Sequence, residues 1–299
     1  MNILLLIIGV SSGLSHSIYS AISKSLLKHR IREPFLFFLY ISVLQAVITP
    51  SIWLFVKPVA PSLSGLMPLL LAGITGVIAY MFLYMALSGG DASSVMPVMG
   101  SKVIFSGFLA IFMLNEKHHW AIYGAAILVA ISIGMLSYSP FTRSKNQFAG
   151  RPVMFMILCS IVFAFTDNFI TRSLRYIDSY NFMVYYNLIL GVGSLGIIPY
   201  IKKKKITLLL PGKDVGWSLI SAIFLVVATL LLTILFELAD GVVVPNILAS
   251  TRGVFIVLIS AVLSHYGSTL LETQTRKIYL FRFVASSLII LSIWIALSK

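Results

Sequence analysis

Apolar runs of about twenty residues follow one another along this chain, separated by connections of only a few polar residues. A helix needs about 20 largely apolar residues to cross the hydrocarbon core of a bilayer. Runs of that length fall near 2–27, 35–56, 66–88, 92–114, 119–138, 152–172, 180–199, 215–237, 241–264 and 277–297. Ten runs in 299 residues leave no room for a soluble domain of any size. Composition agrees: 59% of residues are hydrophobic and 10% are charged, where a soluble domain carries about 25% charged residues. A globular core could not hide so much apolar surface, so lipid is expected to solvate most of it. The expected fold is all-α integral membrane, with ten transmembrane helices.

The first run starts at Met1 without a basic leading region or a small-residue cleavage site, so it is expected to be a retained helix rather than a removed signal peptide. Cys159 is the single cysteine and lies in an apolar stretch. Disulfides and cysteine-based metal sites are therefore not expected, and no cofactor is. The net charge of +13 invites a nucleic-acid reading, but the basic residues sit in short clusters between apolar runs. Membrane topology explains such clusters, and no nucleic-acid partner is expected.

The chain divides near its middle. The link Ser139–Pro152 carries Arg143, Lys145, Gly150 and Arg151, which suggests a first unit at 1–141, a connection at 142–151 and a second unit at 152–299. The units resemble each other at an offset of about 150. Asp91-Ala-Ser-Ser-Val-Met-Pro97, leading to Lys102, answers Asp240-Gly-Val-Val-Val-Pro245, leading to Arg252. Ser15-His16-Ser17-Ile18-Tyr19-Ser20 likewise answers Thr166-Asp167-Asn168-Phe169-Ile170-Thr171. Five helices per unit is an odd number, so two sequential copies enter the membrane in opposite orientations. Inverted repeats of this kind are typical of transporters that alternate access about a midplane site.

Phe82-Leu-Tyr-Met-Ala86-Leu87, followed by Ala92 and Pro97, an acidic helix end at Asn115-Glu116 and the small-residue stretch Gly124 to Gly134 resembles the EamA-type repeat of the drug/metabolite transporter superfamily. The resemblance runs over nearly the whole chain, although the second unit has only Tyr266 and, later, Glu272 where Glu116 stands in the first. An interfacial charge at a helix end is the reading Glu116 receives. The resemblance implies a multi-pass protein of the inner cell membrane that moves a small-molecule metabolite as a monomer or homodimer, with protons as a candidate coupling species. It also implies termini on the inside. Charge counting disagrees: thirteen basic residues lie in odd-numbered connections and four in even-numbered ones. The positive-inside rule then puts both termini outside.

Charges at membrane depth are the sharpest candidates for a site. Lys102 and Arg252 fall near the centres of the fourth and ninth runs, at equivalent repeat positions. Each costs about 2.5–3.5 kcal/mol to insert at a helix centre, and such residues normally face a cavity or pair with one another. One reading has them converge on an anion. The other has each pair with an acid, Asp167, Glu237 or Asp240, and merely hold helices together. Phosphate-exchanging members of the superfamily have basic residues in the equivalent helices, which favours the anion by resemblance.

Polar residues also fall on helical stripes: Ser12, His16, Ser20 and Ser23; Ser160, Asp167 and Thr171; Thr229, Thr233 and Glu237. His16 is a candidate proton carrier or a neutral, hydrogen-bonded core histidine. Asp167 is a candidate for a substrate amine, a coupling proton or a buried cation. Tyr80 and Tyr84, one turn apart, and Tyr19 and Asn168, beside the two titratable residues, complete the candidate substrate-binding set. Pro97 and Pro245 are expected to bend the fourth and ninth helices.

No P-loop, His-Glu-x-x-His or Gly-x-Ser-x-Gly pattern is present, so ATP-driven transport and hydrolysis lack residues and no enzyme is expected. The first run has no glutamate, unlike the small multidrug relatives of the superfamily. The function these features favour is secondary transport or exchange of a small polar metabolite bearing a carboxylate or phosphate, by alternating access. Proton-coupled export of amines or drugs, and a non-transporting membrane subunit, remain as alternatives.

Overall fold

In a computed structural model the chain is described at residues 3–90, 95–96, 98–117, 119–137, 150–265 and 276–297. Asp91, Ala92, Pro97, Arg143, Lys145, Tyr266, Glu272 and most of the mid-chain connection lie outside them. Every regular element among the described residues is helical. They are α1 (Ile3–His29), α2 (Pro34–Ile48, extended by a 3-10 turn Thr49–Leu54), α3 (Leu63–Gly89), α4 (Lys102–Met113, preceded by a 3-10 turn Met99–Ser101) and α5 (Trp120–Ser137). Then come α6 (Arg151–Ser173), α7 (Ser179–Leu195), the short α8 (Ile198–Lys203), α9 (Gly212–Ala239), α10 (Val243–Ala249), α11 (Arg252–His265) and α12 (Arg276–Leu297). Among the described residues seven spans are long and apolar enough to cross a membrane, with shorter apolar helices at Met99–Met113 and Trp120–Ser132.

Large apolar side chains such as Ile3, Phe55, Phe112, Val192 and Trp294 face outward, as a lipid solvent requires. The interior instead collects small and polar groups. Without a hydrophobic drive between helices in lipid, close backbone approach and interhelical hydrogen bonds hold the bundle. On α1, Gly9 packs against Leu248 and Gly13 against Thr251 and the backbone of Arg252, so any side chain there would collide. Ser12 Oγ donates to the Ala228 carbonyl at 2.8 Å and Ser17 Oγ to the Arg252 carbonyl at 2.9 Å. These contacts bind α1 to α9 and α11. The counterpart is α6, which packs on α3 and α4, where Ser160 Oγ reaches the Val98 carbonyl at 3.4 Å and Asn168 Nδ2 the Ser106 carbonyl at 3.3 Å. Likewise α2 packs on α7, and α5 on α12.

The two runs that carry Lys102 and Arg252 are not continuous helices, which corrects the sequence expectation. The ninth breaks at Ser250–Thr251, whose hydroxyls bond back to the carbonyls of Ile247 (2.5 Å) and Leu248 (2.8 Å) and so compete with the helix ladder. The fourth tightens into the 3-10 turn at Met99-Gly100-Ser101, where glycine and serine are poor helix formers. Lys102 and Arg252 are therefore the first residues of new helices rather than mid-helix insertions. Pro245 is also not the source of the bend. It lies in the first turn of α10, where its missing N–H is an orphan anyway, and the break falls five residues later.

Candidate functional site

The two breaks face each other in the middle of the bundle. Arg252, from the second, donates through Nη2 to the carbonyl of Met99, in the first, at 3.3 Å. Between them α1 supplies His16 and Tyr19, α3 supplies Tyr80, α6 supplies Phe163, Thr166 and Asp167, α7 supplies Tyr186, and α9 supplies Thr229 and Thr233. These residues, with Lys102 and Arg252, line a cavity of about 40 Å3. Irregular backbone at membrane depth is tolerated where it is buried in protein or lines a cavity, and both breaks meet that condition.

Asp167 is the hub. Its Oδ2 lies 2.7 Å from Lys102 Nζ, accepts from Asn246 Nδ2 at 2.8 Å and stands 3.4 Å from Ser106 Oγ. Lys102 and Asp167 are each only 2% exposed, so the pair is dry and each ion depends on the other. The Lys102 ammonium also stands 5.8 Å from the centre of the Phe163 ring.

Arg252 differs. It is 5% exposed, and among the described residues no carboxylate lies within ion-pair distance of it. Its Nε has no hydrogen-bond partner. A guanidinium carries five N–H donors, and side-chain bonding here satisfies one of them. With Lys102 and Asp167 cancelling, the chamber holds one uncompensated positive charge.

His16 Nδ1 lies 3.1 Å from the carbonyl of Ser12 in the preceding turn. A carbonyl only accepts, so Nδ1 must carry the hydrogen. In the neutral ring, Nε2 is then a bare acceptor for whatever occupies the cavity.

The aromatic candidates separate. Tyr19 and Tyr80 line the cavity, whereas Tyr84 stands behind them. Tyr84 accepts from Tyr19 Oη at 2.5 Å, stacks on Tyr80 with ring centres 6.2 Å apart and packs edge-on against Phe37. It fixes the other two tyrosines. Asn168 turns away from the cavity toward the backbone of α4 and α6, donating to the carbonyls of Ser106 and Ala164. Glu237, a candidate partner for the cations, instead accepts from the first amide of α7, Ser179 N, at 3.2 Å.

Two residues, Asn246 and Lys24, carried no clear signal in the sequence, and a third, Glu116, was read too modestly. Asn246 orients Asp167, and its only signal was an amide inside an apolar run, directly after Pro245. Lys24 is buried and donates to the carbonyls of Leu87 (3.0 Å) and Gly90 (2.5 Å), closing the end of α3. Glu116 does more than mark a helix end: its carboxylate accepts from Val242 N at 3.1 and 3.2 Å, across the start of α10, with Gly241 making room for it.

An all-helical bundle with lipid-facing apolar sides and a charged, enclosed centre defines a multi-pass integral membrane protein. Residues 3–138 match the model of the EamA-like transporter family. Over those residues the chain is similar to transporters of that family. A solved structure, described only as a crystal structure of a protein, is similar over 98% of this chain and 96% of its own, with a TM-score of 0.67 at 14% identity. That likeness concerns the fold, and it extends through the second half. No curated protein matches the sequence.

Proposed function

We propose that the protein is a secondary transporter or exchanger of a small polar metabolite bearing a carboxylate or phosphate, and that Arg252 holds the anionic group. The observation that carries this reading is the buried guanidinium of Arg252, with a free Nε and no counter-ion among the described residues, beside a Lys102–Asp167 pair that is already neutral. An isolated buried charge is costly, and an anionic ligand that arrives and leaves would offset that cost only while bound. A guanidinium grips carboxylate or phosphate in bidentate fashion. His16 Nε2 and the hydroxyls of Tyr19, Tyr80, Thr229 and Thr233 then offer hydrogen bonds to the rest of the molecule.

Alternating access follows from the pairing of elements. The first unit (1–141) and the second (152–299), joined by 142–151, interlock by exchange: α1 rests on α9 and α11, while α6 rests on α3 and α4. Taking α4, α5 and α12 with the seven longer spans gives ten helices in two fivefold sets. The matching breaks before Lys102 and Arg252 support an inverted relation between the sets. One unit rocking against the other would expose the chamber to each side in turn. We place the protein in the inner cell membrane and read it as a transporter rather than an enzyme.

Proton-coupled export of an amine is the weaker reading, because Asp167 is engaged by Lys102, Asn246 and Ser106 and would have to shed them to take a cation. The test is uptake into liposomes preloaded with mixed metabolites, comparing labelled organic acids, amino acids, sugar phosphates and amines. Saturable uptake of an anionic or zwitterionic compound, lost in Arg252→Met, is the expected result. Uptake of amines alone, unchanged in Arg252→Met, would move the site to Asp167.

A further inference from the structure

A second cavity lies at the edge of the bundle, far along α1 from the central chamber. It offers about 240 Å3 between the last turns of α1 (Ala21, Ile22, Ser25, Leu26 and Arg30), Trp217 of α9 and Leu263 of α11. Its walls are apolar apart from Ser25, and one end is closed by a cation.

That end is the basic end of the molecule. Arg30 Nη1 lies 2.7 Å from Asp214 Oδ1, at the start of α9, and Lys204 Nζ lies 3.9 Å from Glu33 Oε2. These contacts bring Lys28, Arg30 and Arg32 to the same side as Lys202 to Lys205 and Lys213. Only Glu33 and Asp214 oppose them within these segments. Asp214 engages a single N–H of Arg30, whose side chain remains 39% exposed, so its other donors face outward. Lys213 stands one turn before Trp217 on α9, and residues four apart share a helix face. Trp217 is 44% exposed, in the position where an amphipathic ring marks the boundary between headgroups and acyl chains.

We propose that this groove binds an anionic glycerophospholipid, with its phosphate held by Arg30 and Lys213 and one acyl chain lying along Ile22, Leu26, Trp217 and Leu263. The charge of the rim selects an anionic headgroup, since basic pockets between membrane helices suit acidic lipids. The apolar length of the groove selects a lipid over a soluble phosphate. Because the groove spans α1, α9 and α11, a bound lipid would tie the first helix of one unit to two helices of the other.

The test is lipid binding to the full chain in detergent, read by native mass spectrometry and by Tm, and it does not depend on what the protein transports. The probes are phosphatidylglycerol, phosphatidylcholine with matched chains, and glycerol 3-phosphate. Phosphatidylglycerol is expected to bind saturably and to raise Tm, with phosphatidylcholine binding about 10-fold more weakly and glycerol 3-phosphate not competing. Each basic residue near a charged surface contributes roughly 1 kcal/mol, about a 5-fold change in affinity, so Arg30→Gln with Lys213→Gln should weaken phosphatidylglycerol binding by about 25-fold. Lys213→Gln alone disturbs no contact with Asp214 and should weaken it about 5-fold, which keeps the test valid if the double variant folds poorly. Equal binding of the two phospholipids, or unchanged phosphatidylglycerol binding in Lys213→Gln, would overturn the proposal. Competition by glycerol 3-phosphate would assign the rim to a soluble phosphate and overturn the lipid.

Discussion

At the scale of single residues, the three central charges carry different roles and respond differently to removal. Lys102 and Asp167 form a dry pair, and breaking a buried pair costs about 3–5 kcal/mol because one ion is left uncompensated. Asp167→Asn should therefore lower the Tm of the purified protein sharply, and Lys102→Met with Asp167→Leu should recover most of the loss. If the double variant is no more stable than Asp167→Asn, the pair is not what stabilises the chamber. Arg252 has no acidic partner among the described residues, only the Met99 carbonyl. Arg252→Met should leave Tm unchanged or raise it, while lowering kcat/KM for an anionic substrate by about 10- to 100-fold, the range that loss of charge-assisted hydrogen bonds gives. A residue whose loss stabilises the protein and disables it serves function rather than fold. The sequence made both cations and Asp167 visible, because any charge in an apolar run stands out. It could not say which cation Asp167 takes, since that depends on a separation in space that spacing along the chain does not encode.

Among the elements, what was legible were the apolar runs and the polar stripes. Ser12, Ser20 and Ser23 of α1 all sit on its buried face and bond to neighbouring backbone or hydroxyl groups, as the helical period suggested. The breaks in the fourth and ninth runs were not legible. Pro245 drew attention to the wrong turn, since the ninth run breaks where adjacent Ser250 and Thr251 turn their hydroxyls back on the helix; Pro97 lies outside the described residues. Glu116 was underestimated for a related reason: its partner, Val242 N, lies 126 positions away. As a side-chain cap on the start of α10 it should contribute about 0.5–2 kcal/mol. Glu116→Ala should accordingly lower Tm modestly and speed hydrogen exchange at the Val242 amide, with slower effects elsewhere. Unchanged exchange at that amide would contradict the cap. The glycines of α1 give the opposite kind of test. Gly9→Val would force a side chain into Leu248, and overpacking of this kind costs about 1–3 kcal/mol.

For the whole molecule, the packing of α1 on α9 and α11 and of α6 on α3 and α4 is, under the proposed division into two units, the feature that links fold to function. Helices α1 and α6 lean on the opposite unit, and the charged centre is assembled from both: His16 and Lys102 come from the first, Asp167, Asn246 and Arg252 from the second. Residues 1–141 and 152–299, produced together as separate chains, are expected to associate into one bundle. Recovery of each half as a stable species on its own would count against the interlocked arrangement. The packing of α1 on α9 and α11 was not readable, because two similar halves in sequence can pack side by side or through one another.

The measurement that bears most directly on the central claim is transport by the purified protein in liposomes, with and without Arg252→Met, at matched protein density and proven fold. The expected result is saturable movement of a carboxylate- or phosphate-bearing metabolite by the unaltered protein, reduced about 10- to 100-fold in the variant with no loss of Tm. Anion transport that survives the substitution unchanged would contradict it.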